Sequence, residues 1–594
     1  MEDELHLVDR LAGISGVYSP EWVYKGKGLI FFWRGRLNLI KGLKDFPREI
    51  FLEKSLAPLY ESPLGWRMSV SRDGGRLAYL ASDKKIWIYD LTKGKGFKAT
   101  GGPGVHTSPA WSPDDTKICF VMNMEGDEEL YVCDLKEKSL EAILSDERYS
   151  FTAPTWSMDG SKIAFAAYPR EDYPWHESSI GVIETNSKKV QMLTELDGSS
   201  DIKVRWIPGR DSIAFLSDRD GFYNIYTLDL NGVETKLTEL KHDVEEYVFS
   251  PKGNLVALTV NVDCDKKLVI LDLNTGGKRV LMDGVNSQLK WSPDGRFLAF
   301  IHQSPSHPPS LYVYDSIRDT VECIVDTRPI GAPFHKIVKP EVVYLKVHGR
   351  KVNLLLYRPP PRFQGKLPAI IFLHGGPNMQ YLRSWKPSLQ KLVYRGIVVV
   401  ELNYTGSSGF GRGFHYALHG RWCRILVEDL GACLNYLKSL GYVDAQRIGV
   451  YGASAGGYGV LVALTHMPRD FCMGVEIAGI VDMESYTREA DRFARKLIRA
   501  EMGEDRELWR KCSPIHYLDK LNAPLLIIHG DADTVVPVSQ AKMLIRRLRQ
   551  LGKRFEYKIY RGEWHIISKP ENRLDMQARI QSFIDKYLLH HKDS

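Results

Sequence analysis

The 594-residue chain has no apolar run approaching the ~20 residues that a membrane-crossing helix needs, so no membrane role is expected. The segment Met1-Glu2-Asp3-Glu4-Leu5 is acidic and lacks the basic-then-apolar layout of a signal peptide. Cysteine is sparse. The eight are Cys119, Cys133, Cys264, Cys323, Cys423, Cys433, Cys472 and Cys512, and no two are spaced Cys-x-x-Cys. That excludes the usual zinc frameworks. Thiols in a reducing compartment, and hence a cytoplasmic location, are the expectation; a disulfide within one pair stays open. There is no basic block either. Lys and Arg number 80 against 73 Asp and Glu, a net +7 spread along the chain, so no nucleic-acid partner is expected. No His-Glu-x-x-His spacing occurs, and no metal or organic cofactor is implied.

What is present is ample apolar material, 44% of residues, over a length too great for one core. Two large domains are the natural division. Residues 13–325 recur with a period in the forties. The clear copies are Trp111-Ser112-Pro113-Asp114-Asp115, Trp156-Ser157-Met158-Asp159-Gly160, Phe249-Ser250-Pro251-Lys252-Gly253 and Trp291-Ser292-Pro293-Asp294-Gly295. Weaker copies start at Val70 and Trp206, and Tyr24-Lys25-Gly26-Lys27-Gly28 reads as a degenerate first one. Pro and Asp-Gly set a turn, because Pro fixes its own φ and Gly tolerates a positive one. Short strands flank each turn. A four-stranded unit of this length is a propeller blade, and seven copies predict seven blades. The repeated tryptophans are expected to pack between blades.

The repeat breaks at Thr327-Arg328-Pro329-Ile330-Gly331-Ala332-Pro333. Beyond it, short apolar strands alternate with helix-length amphipathic stretches, which predicts a mostly parallel sheet with crossover helices. The expected strands are Val342–Val347, Val352–Tyr357, Ala369–Leu373, Ile397–Leu402, Ile448–Tyr451, Met473–Ile477, Leu525–His529 and Phe555–Tyr560. Helices are expected near Glu428–Leu440, Gly457–Thr465, Ser539–Leu551 and Asn572–Leu589. The predicted layout is thus a helical extension over 1–12 (packed on the second domain, not the propeller), a β-propeller over 13–325, a linker over 326–340 and an α/β-hydrolase domain over 341–594.

Gly452-Ala453-Ser454-Ala455-Gly456 stands between a strand and a helix, the layout of a nucleophile elbow. The pentapeptide alone is weak, since Ser454 could simply cap a helix. A serine hydroxyl needs a base and an orienting acid to act as a nucleophile, and in this fold they follow it in the order acid, then histidine. The strand Leu525–His529 runs into Gly530-Asp531-Ala532-Asp533, where Asp531 and Asp533 both qualify. The strand Phe555–Tyr560 runs into Arg561-Gly562-Glu563-Trp564-His565, which places His565 where the base belongs. His529 reads as a core histidine and His516 as a loop anchor. Two N–H donors are needed for an oxyanion. Ala455 follows the nucleophile, and His374-Gly375-Gly376-Pro377 follows an early strand.

With these motifs, together with Asn403-Tyr404-Thr405-Gly406-Ser407-Ser408-Gly409-Phe410-Gly411 and Gly562-x-x-His565, the whole chain resembles the prolyl oligopeptidase family of serine peptidases, and within it the acylaminoacyl-peptidase branch. The resemblance implies Ser454 as nucleophile, His565 as base and Asp533, in preference to Asp531, as acid. It implies Ala455 and Gly376 as oxyanion donors, with Gly375 next in line. Tyr486, Phe493 and Met483 lie where the family builds a substrate pocket, although helix packing accounts for them equally well. Three departures stand out: Val535 where members often carry Arg, Thr405 for Arg, and Ile566 for Gly. The implied activity is release of N-acylated amino acids from short blocked peptides, without cofactor, in a protein that could self-associate. The alternatives are a dipeptidyl aminopeptidase holding a free amine with Glu245 and Glu246, a carboxylesterase, and a non-catalytic propeller scaffold.

Overall fold

The computed structural model describes residues 15–589 except 35, 46, 51, 53–67, 125, 172–175 and 330–333. The expected extension over 1–12 lies outside the described residues, as does part of the expected linker. The chain divides at residue 331 into two compact units.

In the amino-terminal unit the described strands form five four-stranded antiparallel sheets and one eight-stranded sheet. The eight-stranded sheet consists of two four-stranded meanders joined by one parallel pairing, Lys266 with Val285. Seven consecutive meanders result among the described residues, beginning at Val17, Met68, Val105, Tyr149, Asp201, Val244 and Val285. The recurrent turn is built by its side chains. Ser112 Oγ donates to Asp114 (2.6 Å) and accepts the Lys117 N–H (2.9 Å), closing the hairpin locally. Ser292 repeats this with Asp294 and Phe297. The degenerate copy at Tyr24 is a short 3-10 turn between strands Val17–Val23 and Gly28–Trp33.

The tryptophans hold neighbouring meanders together. Nε1 of Trp111, Trp156, Trp206 and Trp291 donates to Ser69 O, Ala110 O, Thr155 O and Val248 O, each a carbonyl of the preceding meander. Trp22, in the first meander, makes the same bond to Lys290 O in the seventh, at 2.9 Å. Glu21 pairs with Lys290 beside it, and Trp22, Phe31 and Ile40 share one buried cluster with Ile301 and Val313.

Residues 332–594 form an eight-stranded sheet whose strands are β1 Glu341–Val347, β2 Arg350–Tyr357, β3 Leu367–Leu373, β4 Val398–Asn403, β5 Val443–Ala453, β6 Met473–Ile477, β7 Leu525–Gly530 and β8 Phe555–Tyr560. Their order is β1-β2-β4-β3-β5-β6-β7-β8, with β3 to β8 parallel. The central strands are buried along their whole length, which is why they read as continuous apolar runs. The helices are α1 Pro387–Val393, α2 Arg412–Tyr416, α3 Trp422–Ser439, α4 Ala455–His466, α5 Met483–Glu489, α6 Arg492–Met502, α7 Arg506–Lys511, α8 Ser539–Gln550 and α9 Pro570–Ile584. The sequence reading lacked α1, α2 and the trio α5–α7, which fills the long connection from β6 to β7. No disulfide forms among the described residues. No described helix is long and apolar enough to cross a membrane.

Candidate active site

Ser454 sits in the one-residue turn between β5 and α4, with φ 58° and ψ −122°. That region is costly for a residue with a Cβ. Neighbouring backbone holds it there: the Ser454 N–H donates to Ile477 O of β6, and the Ser454 carbonyl accepts from Tyr458. A Cβ on Gly452 would lie 2.2 Å from Gly456 O, and one on Gly456 would lie 2.2 Å from Leu373 O. The elbow closes only because both residues are glycine.

The end of β7 places the acid. Asp533 Oδ1 accepts the N–H groups of Val535 and Val536, both at 2.9 Å. Its other oxygen, Oδ2, is 2.7 Å from His565 Nδ1. Burial alone would raise the Asp533 carboxyl, but hydrogen bonds from His529 and His565 outweigh it and hold the group down at about 2. Since a carboxylate only accepts, His565 carries its hydrogen on Nδ1. Nε2 is left with a lone pair 3.0 Å from Ser454 Oγ. Asp531 points elsewhere, accepting the Gly562 N–H.

The β8 loop that carries His565 is fastened by Glu563, a residue the sequence reading passed over. Its carboxylate is 1% exposed and accepts from Ser568 N, Lys569 N and Asn572 Nδ2. Those partners tie the loop to the start of α9. An acid two residues before His565, followed by Ser-Lys and an Asn at a helix start, was the available signal. Gly530 lets the acid and histidine loops meet, since a Cβ there would lie 2.3 Å from Trp564 O.

The loop after β3 lies against the nucleophile. A Cβ on Gly375 would be 3.4 Å from Ser454 Cβ, and Gly376 has φ +112°. The N–H groups of Ala455 and Gly376 have no hydrogen-bond partner among the described residues. His374 orients this loop. Its ring stacks on Tyr404 at 4.3 Å, Nε2 is 2.8 Å from Ser407 Oγ, and the Tyr404 hydroxyl donates to His374 O. Burial pulls the His374 imidazole down to about 4, so it is neutral.

Val535 packs its side chain against the domain core beside Asp533. Tyr486, on α5, is 4% exposed, and burial together with the Asp491 and Asp533 charges raises its phenol. Met483 is buried in the same cluster. Phe493, on α6, is 40% exposed. The start of α6 is fixed to the acid loop, because Asp491 N donates to Thr534 O. Thr405 turns into a buried network with Asp429 and Arg350. Ile566 is 55% exposed, next to His565. His516 is exposed, whereas His529 is buried with Nε2 on Val536 O.

In the first unit, Glu245 and Glu246 are engaged structurally. Glu245 accepts from Asn261 and pairs with Lys266, and Glu246 accepts the backbone N–H groups of Gln288 and Leu289.

Residues 383–591 match the model of the prolyl oligopeptidase family, and residues 66–172 and 141–320 match that of the TolB β-propeller domain. The carboxyl-terminal unit carries a prolyl oligopeptidase family domain. Dipeptidyl peptidase family member 6 of Caenorhabditis elegans is 28% identical to the chain over 38% of its length. Dipeptidyl-peptidase 5 of Porphyromonas gingivalis is 24% identical over 73%. The matched regions span 32% and 66% of those two proteins. A puromycin-hydrolyzing peptidase of Mycobacterium tuberculosis has the same fold, with a TM-score of 0.89 at 20% identity over 98% of this chain and 96% of that one.

Proposed function

We propose that the protein is a serine peptidase acting on short peptides, with Ser454, His565 and Asp533 as its catalytic triad. The observation that carries this reading is His565 placed between the other two, with Nδ1 on Asp533 and Nε2 3.0 Å from Ser454 Oγ. Ser454 attacks the peptide carbonyl as Nε2 takes its proton. The imidazolium then protonates the leaving amine, Asp533 fixes the tautomer and stabilises the cation, and water releases the acyl group. The unpartnered N–H groups of Ala455 and Gly376 receive the oxyanion, each contributing about 3 kcal/mol to the transition state.

For the substrate we propose peptides with blocked amino termini, cleaved to release an N-acylated amino acid. The engagement of Glu245 and Glu246 by their own domain supports this over capture of a free amine by that pair. The names of the two relatives favour a second reading, a dipeptidyl peptidase. The seven meanders we read as the blades of one closed propeller, because the first packs on the seventh. We place the protein in the cytoplasm on its cysteine usage.

The test is a peptide-library digest by the wild type and Ser454→Ala, read by mass spectrometry, with paired free-amine and N-acetylated substrates. Acylated residues should be released by the wild type alone. Dipeptides released only from free-amine substrates would install the second reading. Failure of a fluorophosphonate to label Ser454 would remove both.

A further inference from the structure

Glu476 lies in β6 and His529 in β7. The strands run parallel with Glu476 opposite Ile527. Side chains alternate across a strand, so His529, two residues beyond Ile527, projects from the same face as Glu476. Both are interior, Glu476 at 1% exposure and His529 at 0%. Glu476 Oε1 accepts the Gly479 N–H, but Oε2 has no partner among the described residues. His529 Nε2 is 2.7 Å from Val536 O and 3.4 Å from Asp533 Oδ2, while Nδ1 has no partner among them. A buried polar atom without a partner is costly. Here an unpartnered oxygen and an unpartnered ring nitrogen share one face of one sheet.

Their chemistry is complementary. The Val536 carbonyl only accepts, so His529 Nε2 carries a hydrogen. Oε2 and Nδ1 are not in direct hydrogen-bond contact, and one further proton passed through a bridging water satisfies both. Burial pushes the Glu476 carboxyl up to about 7. Burial would lower the His529 imidazole, but Asp533 and Glu476 outweigh it and raise it. The location gives the pair a function. Gly479, gripped by Glu476, touches Gly457 and Tyr458 at the first turn of α4, and His529 touches Asp533.

We propose that Glu476 and His529 hold one shared proton behind Asp533, and that its position sets how much of the Asp533 charge is left for His565. This rests on the triad reading above. When the proton sits on His529, the imidazolium offsets Asp533, and the His565 cation is less stabilised. When it sits on Glu476, the full Asp533 charge faces His565. The ionisable groups around the pair are Asp533, His565 across it, and the Tyr486 phenol beside Asp533, which burial keeps neutral. His529 and Glu476 are positioning residues, acting through Asp533.

The sign follows. Glu476→Gln removes the counter-ion that favours imidazolium at His529, so Asp533 acts undiluted and His565 holds its proton to higher pH. The acid limb of kcat/KM should move up by about one pH unit, the scale of one charge at several Å in a protein interior. His529→Asn should shift it the same way, and the double variant no further than the larger single shift. Histidine-labelled NMR of Ser454→Ala, with and without Glu476→Gln, reads the same shift at the His565 ring without catalysis. If His529→Asn does not fold, the isosteric Glu476→Gln still decides. An unmoved or downward-moving His565 titration, or additive single shifts, would overturn the proposal. Failure of the triad reading would show separately, as an unlabelled Ser454 in the wild type.

Discussion

At the scale of single residues, Asp533 has two separable duties. Its charge fixes the His565 tautomer, and its carboxylate replaces solvent for two backbone N–H groups and two imidazoles. Asp533→Asn keeps the size and loses the charge. With the tautomer no longer enforced, kcat should fall by about 10⁴-fold, measured with an N-acetylated chromogenic peptide. The same variant tests linkage. The folded carboxyl titrates at about 2, below its ordinary 3.8, so its stabilisation is fully present above pH 3.8 and is lost as pH falls toward 2. The wild type should therefore lose about 2 kcal/mol over that window that the variant does not lose, as read by urea unfolding at a series of pH values. Equal acid sensitivity of the two proteins would refute this. The proposed triad was legible because the fold dictates the order of its members along the chain, and strand-end loops mark their places. Glu563 and Glu476 were not. A buried carboxylate is recognisable only by its partners: those of Glu563 follow in its own loop and at the start of α9 without any standard motif, and Glu476 holds only the Gly479 N–H just beyond its strand. His529 was read as an ordinary core histidine, and nothing in the sequence distinguishes a ring with both nitrogens satisfied from one with a single nitrogen satisfied.

At the scale of elements, the elbow is a problem of backbone clearance. The Cβ that Gly456→Ala would add lies 2.2 Å from Leu373 O and 2.9 Å from His374 O, and backbone cannot step aside as a flexible side chain can. The substitution should separate α4 from β3 and displace Ala455 from the loop bearing Gly376. We expect loss of fluorophosphonate labelling and a fall of several kcal/mol in stability of the carboxyl-terminal unit, read by differential scanning calorimetry. Labelling at the wild-type rate would show that the elbow tolerates a methyl group. The strands of this domain were visible in the sequence because the central ones are apolar runs and the outer ones, such as β8, still alternate apolar with polar residues. Helices α5 and α7 were not, being only 7 and 6 residues long, and α6, although amphipathic, stands between them in a connection that carries no other long element. Their true markers are the caps. Asp482, Asp491 and Asp505 accept from Ser485 N, Ala494 N and Leu508 N, the first-turn N–H groups of these three helices. Aspartate is common enough in loops that the caps stand out only once the helices are seen.

At the scale of the whole amino-terminal unit, the question is whether seven meanders make a closed ring or an open row. The period gave their number, but closure depends on a contact between residues 268 positions apart, Trp22 and Lys290. No local pattern reveals such a contact, and the first meander carries its tryptophan two residues before the turn at Tyr24, outside the register of the other copies. Trp22→Ala removes that hydrogen bond and a side chain only 6% exposed from the cluster shared by the two end meanders. A cavity of that kind costs about 3–5 kcal/mol. In an open row the damage would stay in the first meander and its neighbour. In a closed ring it must also reach the seventh, because Ile301, Leu311 and Val313 lose the same packing partner. Hydrogen exchange should therefore quicken in Val17–Trp33 and in Val285–Val325 together, with Asp201–Lys236 unchanged. Trp206→Ala should do the reverse, exposing the fourth and fifth meanders and sparing both ends. Quickening confined to the first two meanders in Trp22→Ala would mean that the ring is open, and the seven-bladed reading would fall with it.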